Sequence, residues 1–255
     1  MRSPEELRAL VEEHLVAMPL DGELGDAIRY ALAGGGKRIR PVLCLAVAEA
    51  AGAPVEKALP AAAAVELVHT FSLVHDDLPA LDDDDVRRAR PSTHIEFGEA
   101  VAILTGDALL AQAFRLTLSY GRAEIADELA DATLNMIRGQ YLDIAGAARD
   151  PEALYELKTG ALFGAATGCA LRVAEVPERS WAPWRAFAQE FGLLFQVVDD
   201  IVDDDGVVQR LGADAARSLA VEKEARALAA LEAIEADTSV LAELLAGLSA
   251  RAAGR

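Results

Sequence analysis

The chain has 255 residues, 53 % of them hydrophobic and only 5 % aromatic, so Ala and Leu, both strong helix formers, supply most of the apolar bulk. That length suits one or two domains and allows a single helical core. A formal net charge of −18, from 24 basic and 42 acidic residues, argues against nucleic-acid binding, which needs basic patches, and disfavours docking on anionic lipid.

Helical periodicity dominates, and no stretch alternates as a strand bounded by turn dipeptides. The first expected helix, over 4–17, is charged and amphipathic and lacks a signal-peptide apolar core. A second, over 22–33, runs into GGGKRIRP at 34–41, where Lys37, Arg38 and Arg40 place three cations in four residues of a very acidic protein. The glycines let backbone approach a ligand closely. The loop is not a Walker A motif, because it lacks the GxxxxGK[ST] spacing and a preceding strand. Helices are next expected over 39–51 and 55–77, and the second of these carries His69 seven residues before Asp76. Seven residues is nearly two turns, so the two share a face about 10.5 Å apart. Cys44, and Cys169 far along the chain, stand in apolar surroundings and read as small buried hydrophobes in a reducing compartment.

Residues 75–94 read HDDLPALDDDDVRRARPSTH, with six Asp between positions 76 and 85. Two unit charges about 4 Å apart repel by roughly 4 kcal/mol at an effective dielectric near 20, so such a patch calls for counter-ions. Asp76 and Asp77 follow the apolar run 61–74, so a core helix delivers them. Pro79 removes a donor and clashes with the carbonyl of His75, so the helix should end near Asp77 and the chain fold back to bring Asp82 to Asp76. Two carboxylates with open positions suit Mg²⁺ and a phosphate-bearing ligand. Arg87, Arg88 and Arg90 follow at once; they neutralise the aspartates, and their planar forks also suit phosphate.

Further helices are expected over 98–118, 122–144 and 151–173. The last holds Lys158 and Thr159 in LKTGALFGAA, where a Lys among small apolar residues needs an anionic ligand or a nearby Asp. The longest uncharged apolar stretch, Thr159 to Leu171, is too short to span a bilayer, which points to a soluble, cytoplasmic protein without a transmembrane segment. The helix expected over 180–204 ends in FQVVDDIVDDD. Asp199 and Asp203 lie four apart, on one face, after a run of apolar residues, and Gln196 comes one turn before Asp199. Two acidic motifs, each closing an apolar helix, make a metal site for a polyphosphate. Helices over 214–235 and 238–252 complete the series.

The stretches GGKRIRP, ELVHTFSLVHDDLPALDDDDVRRARPSTH, FGEAVAILTGDALL, GQYLDIAG, KTGALF and FQVVDDIVDD run in one order over residues 30–205. In this the chain resembles the short-chain trans-polyprenyl diphosphate synthases, the bacterial farnesyl and geranylgeranyl diphosphate synthases. The resemblance implies an all-α isoprenoid-synthase bundle around a central cavity, one domain over 1–255, and a cytoplasmic homodimer. It implies a prenyltransferase that joins isopentenyl diphosphate to dimethylallyl or geranyl diphosphate by Mg²⁺-assisted ionisation, condensation and proton elimination. Asp76 and Asp82 would ligate Mg²⁺ with Asp77 in support, and Asp199 would ligate Mg²⁺ opposite, with Asp200 and Asp203 acting partly through water, for three ions in all. Arg87, Lys158 and Gln196 would hold the allylic diphosphate, with Thr159 facing the developing cation. Lys37, Arg40, His69 and Arg88 would hold isopentenyl diphosphate. Phe71, with Ser72 beside it, would set product length by closing the cavity at fifteen carbons, giving farnesyl diphosphate; geranylgeranyl diphosphate is the alternative product.

The family usually places two lysines after its second acidic motif, and both are missing from GVVQRLGADAARSLAVEKEA, where Arg210 and Arg217 are the candidate replacements. That loss keeps open a non-catalytic partner subunit of a heteromeric synthase, though such subunits typically lose the acidic motifs retained here. A terpene cyclase would mix Asn, Ser and Glu into the second motif and would not need Lys37, Arg40, His69 and Arg88 together.

Overall fold

The structure is a computed structural model that describes residues 1–147, 151–252 and 254. It is a bundle of helices: α1 (Pro4–Val16), α2 (Gly22–Ala33), α3 (Ile39–Ala50), α4 (Val55–Asp76), α5 (Thr93–Phe97), α6 (Glu99–Leu118), α7 (Ala123–Ile144), α8 (Pro151–Tyr155), α9 (Ala161–Val173), α10 (Ala182–Asp203), α11 (Val207–Leu211), α12 (Ala213–Glu232) and α13 (Ser239–Ala252). The only sheet among the described residues is a two-residue ribbon, β1 (Val86–Arg87) with β2 (Arg90–Pro91), within the acidic loop.

Local chemistry explains the boundaries. Ser3 and Glu6 form a reciprocal capping box at the start of α1, with Pro4 in its first turn. Helix α4 stops at Asp76, three residues before Pro79, as that proline requires. Its residues Ala61–Val68 are all buried, so α4 is a central helix, and α3, α6 and α9 pack against it. The core behind the site is aromatic on one side, where Phe191 lies 5.5 Å from Phe163 and 5.4 Å from Phe187.

Where one helix was expected over 151–173, the structure has α8, a π-helical turn (Glu156–Gly160) and α9. Such a turn inserts a residue into the helical ladder and re-aims side chains, a feature common at functional sites. Gly192 of α10 makes room for it: a Cβ there would lie 3.3 Å from Gly160 Cα and 3.1 Å from the Phe163 ring. Helices α5 and α11, of five residues each, are too short to show a period and were not expected.

Two helices, α4 and α6, are long and apolar enough to cross a membrane by composition. The longest uncharged stretch lies in neither, because Glu66 interrupts α4 and Asp107 and Arg115 interrupt α6. Buried positions make up 67 % of the α4 window but only 33 % of that of α6. Both cysteines are free and fully buried, as read from the sequence.

Candidate active site

The first acidic wall forms where α4 ends. The Asp82 N–H donates to the Asp76 carbonyl at 2.8 Å, and Asp83 N–H to the Leu78 carbonyl at 3.2 Å, so the chain does fold back on Asp76 after Pro79. Burial, then the Asp82 charge, push the Asp76 carboxyl up to about 6. Asp77 is buried and points the other way, into an ion pair with Arg87, which also reaches Asp84 at 2.9 Å. The ribbon that follows turns tightly, with Arg88 and Ala89 both in the left-handed region. Arg88 donates to the Gly35 carbonyl and so ties this loop to the glycine loop.

The second acidic wall is the last turn of α10. Asp199 and Asp203 line a cavity of about 720 Å³ together with Lys37, Arg40, His69, Arg87, Arg88 and Gln196. Asp199 Oδ1 receives two cations, Arg251 Nη2 at 2.9 Å and Lys37 Nζ at 3.5 Å. Asp200 departs from the expected metal contact. One residue along a helix is a turn of about 100°, so neighbours cannot share a face. Its buried carboxylate instead accepts Gln196 Nε2 at 2.8 Å, Val207 N–H at 2.8 Å and Tyr155 O–H at 3.1 Å. Gly206 is compulsory beside it, since its φ is +47° and a Cβ would lie 2.3 Å from Asp200 Oδ2.

The basic residues divide by role. Arg38 is buried and structural, bonded to Glu12 at 2.8 Å and to Glu66 at 2.5 Å. Arg40 is buried with its guanidinium 4.6 Å from the Phe163 ring and 5.3 Å from that of Phe195. Burial draws its pKa down to about 10, and its Nε has no hydrogen-bond partner. A buried donor without an acceptor calls for a partner, and an anionic ligand would supply one. Burial and the arginines around it, Arg40 foremost, push His69 well below its ordinary range, so it faces the cavity as a neutral imidazole. Lys158 and Thr159 ride the π turn. Lys158 Nζ meets Asp143 at 2.5 Å, and the Thr159 hydroxyl donates to Gln196 Oε1 at 2.9 Å.

An adjoining cavity of about 540 Å³ is lined by Asp76, Phe71, Ser72, Met136, Ile137 and Leu162 among others. It meets the first at Arg40, His69, Leu73 and Thr159, so the acidic walls open onto an apolar chamber. The Phe71 ring faces that chamber and packs edge-on to His75 at 4.9 Å.

Of the two candidate replacements for absent lysines, only Arg210 reaches a cavity, one of about 600 Å³ shared with Lys158, Gln196 and Asp200, where it lies 5.7 Å from the Tyr155 ring. Arg217 is exposed and paired with Asp214 at 3.3 Å. Two site residues had no sequence signal, Tyr155 and Arg251, while Asp143 stood in the stretch GQYLDIAG without being given a role. A lone Arg in the last turn of a helix reads as a complement to the helix dipole, and nothing in the chain order links it to Asp199. His94 was also missed: it is buried, 3.2 Å from Ser92 Oγ and 3.9 Å from Asp85 Oδ1, and with Asp83 the three ligating atoms lie within 4.8 Å of one another.

The residues fit a divalent cation. The raised Asp76 carboxyl and the two cations drawn onto Asp199 both mark negative charge that hard Mg²⁺ would neutralise.

The polyprenyl synthetase family model matches residues 21–251. A geranylgeranyl diphosphate synthase of Cyanophora paradoxa is 40 % identical over 213 residues, 78 % of this chain and 71 % of that protein. A farnesyl diphosphate synthase of Bacillus subtilis is 37 % identical over 210 residues, 76 % of this chain and 71 % of that one. The chain spans less of some longer chloroplastic relatives, 59 % in one case. The crystal structure of a geranyltranstransferase from Thermotoga maritima superposes with a TM-score of 0.86 at 30 % identity, covering 99 % of both chains.

Proposed function

The chain belongs to the polyprenyl synthetase family, whose relatives here are trans-prenyltransferases, and from that premise we propose that it condenses isopentenyl diphosphate with dimethylallyl or geranyl diphosphate to make farnesyl diphosphate. The observation that carries this reading is the pair of acidic helix ends, at Asp76 and Asp199, set around basic residues at the mouth of an apolar chamber. Mg²⁺ held by Asp76, Asp82 and Asp199, with Asp203 beside them, would supply the charge that makes diphosphate a leaving group.

The chain's own residues do the rest. Arg87, Lys158 and Gln196 hold the allylic diphosphate, and Arg210 stands beside Lys158 and Gln196. Lys37, Arg40, His69 and Arg88 hold isopentenyl diphosphate. As the allylic C–O bond breaks, the bonding pair leaves with the diphosphate and a carbocation remains. Thr159 donates its proton to Gln196, which leaves its oxygen lone pairs free to face that cation. The apolar walls at Phe71, Met136 and Leu162 keep water from capturing it. The isopentenyl double bond attacks the cation, a new C–C bond forms, and the proton then lost passes to the released diphosphate.

Phe71 supports a fifteen-carbon product, because its ring lies in the wall of the chamber below Asp76. A second reading, geranylgeranyl diphosphate, is supported by the relative from Cyanophora paradoxa. The matched span supports one domain over the chain. The exposed apolar side chains of α6 and α7 support a homodimer, and the bacterial relative supports a cytoplasmic location. The test is to incubate purified protein with isopentenyl diphosphate and dimethylallyl, geranyl or farnesyl diphosphate in Mg²⁺ and weigh the products. C15 as the main product is expected. Mainly C20 would establish the second reading, and no product from any pair would overturn both.

A further inference from the structure

Arg251 of α13 enters the cavity of about 720 Å³ beside Lys37, Arg40, His69 and Arg88, although no acidic or basic motif includes it. Its guanidinium is held by one partner there, Asp199 Oδ1 at 2.9 Å, an oxygen that already has Lys37 Nζ 3.5 Å away. Its other terminal nitrogen, Nη1, is buried and has no hydrogen-bond partner. A guanidinium carries five N–H donors in a rigid fork that fits phosphate bidentately, and a buried donor without an acceptor is costly. Nor do the basic residues just after α10 fill this position. Arg210 lies against Tyr155 in a neighbouring cavity, and Arg217 is exposed on Asp214.

Two side-chain cations already on Oδ1 compete with a divalent cation for the Asp199 carboxylate. When a metal takes that oxygen, Arg251 is repelled from it but stays in a cavity whose intended occupant is anionic. We propose that Arg251 is a diphosphate-binding residue that exchanges Asp199 for phosphate oxygens when the metal–diphosphate complex enters, so that α13 couples occupancy of the metal to grip on the substrate. This rests on the proposed role of the cavity in binding diphosphates.

The exchange gives opposite signs for two ligands, which a purely structural ion pair does not. Arg251→Gln removes a competitor for Asp199 and a donor to phosphate. Calorimetric titration of the full chain with Mg²⁺ alone, and with inorganic pyrophosphate in Mg²⁺, reads both. Arg251→Gln is expected to bind Mg²⁺ as tightly as wild type or more tightly, and Mg²⁺–pyrophosphate at least tenfold more weakly. Unchanged pyrophosphate affinity, or parallel loss of both ligands, overturns the proposal. Arg251→Lys keeps a cation beside Asp199 and so the fold. It is expected to lose several-fold in pyrophosphate affinity, because it lacks the fork, and wild-type affinity in that variant also counts against the proposal. A wild-type protein that binds pyrophosphate in this manner yet joins no prenyl substrates would sink the enzymatic reading and leave the role of Arg251 standing.

Discussion

Asp76 carries the clearest electrostatic signature in the molecule. Its carboxyl is raised from 3.8 to about 6 by burial and by Asp82, so between those values the folded protein binds more protons than the unfolded chain. The sign follows: metal-free protein gains stability from this group as pH falls from 7 towards 4, and loses that gain as pH rises through 6. Protons compete with metal over the same window. Mg²⁺–pyrophosphate affinity is expected to fall about fourfold between pH 7.5 and 5.5 from this group alone, while the melting temperature in EDTA does not fall on its account. Titration at both pH values checks it, and equal affinities would contradict it. Asp200 is expected to behave otherwise, because its oxygens take three protein donors. Asp200→Asn should destabilise by about 2 kcal/mol and still respond to Mg²⁺, whereas Asp199→Asn should leave the melting temperature near wild type and abolish turnover. Phe71→Ala enlarges the apolar chamber and removes the edge-on contact with His75. The product is expected to shift to twenty carbons or longer, with about 3 kcal/mol lost in stability, and an unchanged product distribution by mass would show that Phe71 is not the floor.

Long elements were legible and their irregularities were not. The helices over 22–33 and 55–77 appear within a residue of expectation, because an apolar run bounded by Gly and Pro leaves little choice. The fold-back that brings Asp82 to Asp76 was legible too, since Pro79 forces it. The π turn was invisible: nothing in Glu156–Gly160 separates a π turn from an α-helix, and the turn is packed between α7 on one side and α10 on the other. Gly139 of α7 shows how near that approach is. A Cβ there would lie 2.9 Å from the Lys158 backbone nitrogen and 3.0 Å from Leu157 Cβ. Gly139→Ala should therefore push the turn away from α7 and pull Lys158 from its place beside Asp143. The expected result is a KM for the allylic substrate raised roughly tenfold with about 1–3 kcal/mol of lost stability. Wild-type kinetics in this variant would show that the turn tolerates displacement. The partners of Asp199 and Asp200 were equally hidden, because Tyr155 and Arg251 reach them across 45 and 52 residues of chain, and periodicity carries no such information.

At the scale of the whole molecule, the bundle sets two carboxylate faces on two adjoining cavities that meet at Arg40, His69, Leu73 and Thr159. Helices α6 and α7 leave apolar side chains uncovered: Ile103, Leu104 and Leu118 on one and Leu134 on the other, whereas Ile137, Tyr141 and Ile144, also exposed, line the apolar chamber. A second copy of the chain is the proposed cover, so Leu104→Glu is expected to yield monomers in sedimentation, and a wild-type monomer at micromolar concentration would contradict it. The claim to which every other is subordinate is that the faces at Asp76 and Asp199 act together through a divalent cation. The most direct test is turnover of isopentenyl and geranyl diphosphate by the purified protein, with Mg²⁺ and with excess EDTA. Product is expected with Mg²⁺, and essentially none in EDTA or in Asp76→Ala; undiminished turnover in EDTA would contradict the account.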